Sequence, residues 1–184
     1  MTLRRAISLL AHGLCLVTLL GCEVRTSARL GSGPSFSLGG SGRLVSFAIW
    51  GPQPGHKIAT PNDAKSLVWS IQPSGGYPDS VPVAHVNLVY GSVPERYTQT
   101  VPSRGPVPAL TAGLVYYFFA ETNGAPGKDG FFYMDKTTPI LIRVPDLCES
   151  GFTGDVKPLK CGTKEPYVEP KDLEQFVREN RVDE

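Results

Sequence analysis

Leu110-Thr111-Ala112-Gly113-Leu114-Val115-Tyr116-Tyr117-Phe118-Phe119-Ala120-Glu121 is the densest aromatic stretch of the chain. Aromatic and β-branched residues suit a pleated, half-buried surface, so Leu114 to Glu121 reads as a strand. Side chains alternate between faces along a strand. Tyr116 and Phe118 therefore fall on one face, with Tyr117 and Phe119 on the other. A strand aromatic on both faces is either covered twice or offers an apolar patch to a protein or glycan. The expectation is double cover, by a second sheet on one side and by loops or the C-terminal tail on the other.

The neighbouring segments repeat the pattern. Leu44 to Trp50 alternates with Val45, Phe47 and Ile49 on one face, and ends at Gly51-Pro52-Gln53-Pro54-Gly55. Leu67 to Ile71 points Leu67, Trp69 and Ile71 inward and closes at Pro73-Ser74-Gly75-Gly76. Val83 to Tyr90 places Ala84, Val86, Leu88 and Tyr90 on one face, against His85 and Asn87 on the other. Phe131 to Met134 and Pro139 to Val144 complete the set. Twenty glycines and seventeen prolines in 184 residues argue against a helical bundle and for short strands between frequent turns. A parallel sheet would need crossover helices, and no long 3.6-residue period occurs before the last fifteen residues. The expected fold is an all-β sandwich over residues 43–145.

Leu110 to Phe118 resembles the sixth strand and preceding corner of fibronectin type III domains, an immunoglobulin-like sandwich. There a Leu, a small turn residue and a Tyr six residues after the Leu form a tyrosine corner. The resemblance implies that the Tyr116 ring is buried while its hydroxyl bonds back to the loop backbone. Leu67-Val68-Trp69 similarly resembles that family's core tryptophan strand, so Trp69, Tyr90, Leu110 and Tyr116 are expected in the structural core. The fold carries no function with it, since this sandwich hosts many. Tyr90-Gly91-Ser92-Val93-Pro94, followed by Gln99, Pro102 and the Leu110 corner, resembles a recurring block in uncharacterised bacterial lipoproteins of similar size.

The N-terminus points the same way. Arg4 and Arg5 precede an apolar run, Ala6 to Leu20, which is short for a bilayer span of about 20 residues and suits a secretory signal. Leu19-Leu20-Gly21-Cys22 resembles the lipobox of bacterial lipoproteins, which implies a signal peptide over 1–21 and diacylation, including palmitate, on Cys22. Leu20 departs from the commoner small or β-branched residue. Leu3 stands where a twin-arginine signal usually has Ser or Thr. Glu23, in place of an inner-membrane retention aspartate, directs the expectation to the outer membrane, facing periplasm or surface. Residues 22–42 include the Gly/Ser-rich run Ser27 to Gly42, expected as a tether with an average reach of roughly 20–25 Å. Arg25, Arg29 and Arg43 could brush anionic head groups from there, but the favoured reading is solvated charge.

Loss of Arg4 and Arg5 leaves 16 basic against 17 acidic residues, so no basic surplus exists for nucleic acid. Cys15 leaves with the signal. Cys148 and Cys161 remain as an even pair in an oxidising compartment, expected as a disulfide closing a loop over 146–162. Cross-linking a loop of this length contributes roughly 3 kcal/mol in the chain-entropy picture. The tail, 163–184, carries seven acids and four bases. Glu169 to Val177 suits a short helix with Leu173, Phe176 and Val177 as its apolar stripe.

Residues for chemistry are sparse. His56 and His85 are the histidines beyond the signal, and no Gly-x-Ser-x-Gly elbow accompanies them. Gly124 to Lys128 echoes a phosphate loop but lacks its first Gly and its Ser/Thr, which favours a hairpin turn. Asp146, Glu149 and Asp155 lack a calcium-loop spacing, and no His/Cys cluster suggests another metal. The expectation is therefore an envelope lipoprotein without cofactor or metal, held to the bilayer by acylated Cys22. Its sandwich would be a non-catalytic binding or structural module whose partner is an unidentified protein or glycan. The competing expectation is an envelope hydrolase with a loop-borne site, which needs a histidine that meets both a carboxylate and a hydroxyl.

Overall fold

The computed structural model describes residues 24–61, 63–145, 147 and 167–182. Among them, ten strands form two antiparallel sheets, with one short α-helix. The small sheet has the order β1-β2-β6, from Ser27–Gly31, Ser35–Gly39 and Asn87–Val89. The large sheet has the order β10-β9-β8-β3-β4-β7, with the two-residue β5, Val81–Pro82, beside the start of β3. Its strands are β3 (Arg43–Trp50), β4 (Leu67–Pro73), β7 (Tyr97–Val101), β8 (Val115–Asn123), β9 (Lys128–Asp135) and β10 (Thr138–Ile142).

The aromatic stretch forms β8, between β3 and β9, and both of its faces are covered. Tyr116, Phe118 and Ala120 join the core shared with the small sheet, together with Phe47, Ile49, Trp69, Ile71, Phe132 and Met134. Val115 and Tyr117 belong to a second core with Ala48, Trp50, Ile58 and Phe131. That second face is closed by α1, Leu173–Asn180, through buried Leu173 and Val177. The molecule therefore has three layers: small sheet, large sheet, tail helix.

Three expectations are corrected by the register. The Gly/Ser-rich run Ser27 to Gly42 is no flexible tether, because Ser27–Gly39 is a β-hairpin whose second strand pairs with β6. Phe36 and Leu38 are buried there. The Ser/Gly positions between them face solvent or turn, and a strand with one wet face needs only alternate apolar residues. In β3 a bulge at Val45 resets the alternation, so Leu44 takes the core position expected for Val45. Val83 to Tyr90 is no continuous strand. Pro82 opens a 3-10 turn over Val83–His85, which buries Val83 and exposes Ala84 before β6 resumes with Leu88 inward.

The tail helix begins later than its apolar stripe suggests, at Leu173 in place of Glu169. The Asp172 carboxylate accepts the Gln175 N–H at 2.9 Å and fixes the start. Eight residues are too few for a stable isolated helix, so docking holds it. Beyond its end, Arg143 N–H donates to Asn180 O at 2.9 Å and Val182 N–H to Leu141 O at 3.0 Å, which pairs part of the β10 edge.

Phe36 is enclosed by Phe47, Phe118 and Phe132, at centroid distances of 4.9, 5.3 and 5.5 Å. Truncation to Ala should therefore cost about 3–5 kcal/mol, the range for a large core aromatic. Denaturant titration of F36A is the check. A loss below about 1 kcal/mol, the ordinary scale of a surface change, would return this segment to the status of a tether.

Candidate functional site

The four expected core residues meet at one end of the sandwich. The Trp69 ring meets the Tyr90 ring edge-on at 5.5 Å and that of Phe47 at 5.9 Å. Its indole N–H is buried without a hydrogen-bond partner among the described residues. That costs about 1–3 kcal/mol, which burial of the large ring and its two edge-on contacts offset. The Tyr90 hydroxyl donates to Pro108 O at 2.6 Å. The Tyr116 hydroxyl accepts the Thr111 N–H at 2.8 Å, and Leu110 packs half-buried against the same core. Gly113, at φ +81°, makes the turn into β8, and its N–H donates to Met134 O. With Gln99 Nε2 donating to Pro102 O at 2.8 Å, these bonds strap the loop 102–114 across the end of the core. The spacing of Tyr90, Gln99, Pro102 and Leu110 thus has a physical meaning as one strapped loop.

Tyr117, on the opposite face of β8, is buried too, and its hydroxyl donates to Asp129 at 3.0 Å. The aromatic face it belongs to lies under α1 and offers no open patch.

A concave, partly polar groove of about 410 Å³ lies beside the 3-10 turn. His85, Asn87, Ser92, Glu95 and Arg96 line it, with Tyr97 at its base. Arg96 has φ +69°, a left-handed backbone that a long side chain rarely adopts, and its guanidinium meets Asp79 at 3.3 Å. The Tyr97 hydroxyl donates to Leu44 O at 2.9 Å and accepts the Val81 N–H at 3.2 Å, which anchors the groove to β3 and β5. Its chemistry suits hydrogen bonding to a polar ligand. Among the described residues, no hydroxyl bonds to His85.

His56 meets a carboxylate, with Nδ1 3.5 Å from Glu169. The same carboxylate accepts the Lys57 and Ile58 N–H groups at 3.0–3.1 Å. Glu169 therefore fastens the tail to the 51–61 loop, and His56, half exposed, sits on its rim. Among the described residues no hydroxyl is hydrogen-bonded to His56, so a nucleophile-base pair is not assembled there. Nor does any group of three metal-ligating side chains occur among them. Cys22, Cys148, Cys161, Asp146, Glu149 and Asp155 lie outside the described residues. The turn Gly124–Gly127 joins β8 to β9 as a hairpin, with the Thr122 hydroxyl donating to Ala125 O.

Sequence reasoning missed Tyr97, although Tyr97 to Val101 alternates in the way of a short strand. It also missed Glu169, whose partners lie more than a hundred residues away and leave no local signal. No protein family, curated protein or solved structure matches the chain.

Two outcomes follow from the strapped loop. Tyr116→Phe should cost about 1 kcal/mol, the low end for a hydrogen bond, because Thr111 is exposed and water can replace the lost hydroxyl. Hydrogen exchange should quicken in 102–113 before the strands are affected; unchanged protection there would show that the bond does not hold the loop.

The second concerns alkaline pH. Burial, with the neighbouring Tyr116, pushes the Tyr90 hydroxyl far above its ordinary pKa. Burial also raises Tyr97, against the lowering effect of the Val81 N–H and nearby arginines. An unfolded tyrosine ionises near pH 10 while the folded ones keep their protons, so stability is intact below that pH and falls above it. The melting temperature should drop from about pH 10 upward, and Tyr90→Phe should flatten the slope. A pH-independent melting temperature across that range would contradict the burial.

Proposed function

We propose that the chain is an envelope lipoprotein, anchored to the bilayer by acylation of Cys22, whose sandwich serves as a non-catalytic binding or structural module. The observation that carries this reading is Leu19-Leu20-Gly21-Cys22 at the end of an apolar run behind Arg4 and Arg5. It gains support from Val24 and Thr26, which follow Cys22 closely in the chain and are already hydrogen-bonded into the sandwich. The oxidising envelope also suits Cys148 and Cys161 as a disulfide that would tie the end of the sandwich to the docked tail.

For the finer fold we infer a fibronectin type III or immunoglobulin-like sandwich. The order β1-β2-β6 opposite β9-β8-β3-β4 matches the A-B-E and G-F-C-C′ sheets of that class. Tyr116 stands near the start of the strand corresponding to F, and its hydroxyl reaches back to the loop. Trp69 departs from the pattern, since it lies on β4, which corresponds to C′. β10 and β7 extend the large sheet beyond the pattern on both sides.

The binding role rests on surface shape. The groove beside His85 and Arg96 is partly polar and open, and the strapped loop is exposed, which suits recognition more than enclosure of a reacting group. Cys22→Ser should abolish fatty-acid incorporation and move the protein from the membrane fraction to the soluble periplasm. Metabolic labelling with a palmitate analogue, followed by fractionation, reads both. Continued membrane association without incorporated fatty acid would remove the anchor.

A further inference from the structure

We propose that the domain is held directly against the lipid head groups by one defined end of the sandwich, a consequence that rests on acylation of Cys22. The argument is one of chain length. Val24 N–H donates to Ser41 Oγ at 3.1 Å, and Ser41 N–H returns to Val24 O at 3.2 Å. Two residues later Thr26 is buried, its hydroxyl 3.3 Å from that of Thr122 and its N–H directed to Pro126 O. The chain is thus part of the fold from Val24 onward. Two peptide units separate Cys22 from Val24, and at full extension they span only about 7 Å. The polar interfacial zone of a bilayer is roughly 5–8 Å deep on each side. A leash that short cannot lift the domain clear of the head groups.

Register identifies the end that is held. Arg43 pairs with Asn123, and Leu44 with Val81, so the β2–β3 turn, the β8–β9 turn and the start of β5 lie together. Val24 and Tyr77 project there, 58% and 51% exposed, two of the few large apolar side chains left open. An exposed Tyr suits the interface, where its ring and hydroxyl meet apolar and wet surroundings. Arg25 is exposed beside Val24, and Lys128 opens β9 at the same level. Acids share this end: Asp79 is paired with Arg96, Glu121 accepts from the Ser46 hydroxyl at 2.9 Å, and Asp129 follows Lys128, so the charges are mixed. The strapped loop 102–114 and the His56–Glu169 contact lie at the other end of the strands, facing away from the membrane. The occupant is therefore the bilayer that holds the acyl chains; the groove beside Arg96 lies at this membrane end, and the strapped loop is left for other contacts.

The test uses the full-length acylated protein in vesicles of phosphatidylethanolamine and phosphatidylglycerol doped with a head-group nitroxide lipid. A fluorescent non-natural residue is placed at position 123, at the membrane-side end of β8, or at position 137, in the β9–β10 turn. The eight residues of β9 separate the two positions by about 27 Å. Quenching should be several-fold stronger at 123 than at 137. A Gly/Ser spacer of about ten residues between Glu23 and Val24, adding an average reach of roughly 16–19 Å, should bring the two together. Equal quenching in protein that carries the fatty acid, or a difference untouched by the spacer, overturns the apposition and leaves the anchor standing. Absence of fatty acid on Cys22 by mass spectrometry overturns both.

Discussion

The insertion of Phe36 between Phe47, Phe118 and Phe132 is the contact on which the two-sheet arrangement depends. Phe36 is the largest residue that the small sheet contributes to the shared core, and it is fully buried. Its three partners come from β3, β8 and β9, the centre of the large sheet. Edge-on and tilted ring contacts add about 0.5–1.5 kcal/mol each beyond burial. They also fix the small sheet's position, because ring geometry is directional where aliphatic packing is not. Without Phe36 the β1–β2 hairpin has little else to bury: Leu38 is enclosed, while Ala28 and Leu30 are only partly covered.

Covering one face of the large sheet leaves the other to be solved, and here the tail matters. Trp50, Tyr117 and Phe131 would form an apolar surface of the kind that drives association. Leu173 and Val177 close it, and Glu169 and Val182 pin the two ends of the closing segment to the sandwich. The same segment satisfies part of the β10 edge. One short helix thus removes an exposed patch and part of an open strand, two separate routes to aggregation.

Hydroxyl groups of buried tyrosines do a comparable service for the loops. Tyr90, Tyr97 and Tyr116 each place a ring in the core and spend the hydroxyl on a backbone group of a neighbouring segment. This gives irregular segments defined positions without a further layer of secondary structure. It also leaves the groove beside Arg96 and the strapped loop shaped but open, surfaces that suit recognition.

The amino-acid sequence by itself determined the aromatic strand with two buried faces and most of the large sheet. These are local signals: a composition run, a period of two, turn residues at strand ends. The corner residues Leu110 and Tyr116 were legible for the same reason, since turn, ring and hydroxyl lie within seven positions. The tertiary structure alone decided that Ser27–Gly39 is a hairpin, because its Gly/Ser content reads as a linker until Phe36 finds its three partners. It alone broke Val83 to Tyr90 at a 3-10 turn, where Val83 is drawn into the core. It also brought Glu169 to Lys57 and Ile58, and Arg96 to Asp79. Such pairings join side chains to distant backbone or charge, and nothing in the local sequence at either end records them.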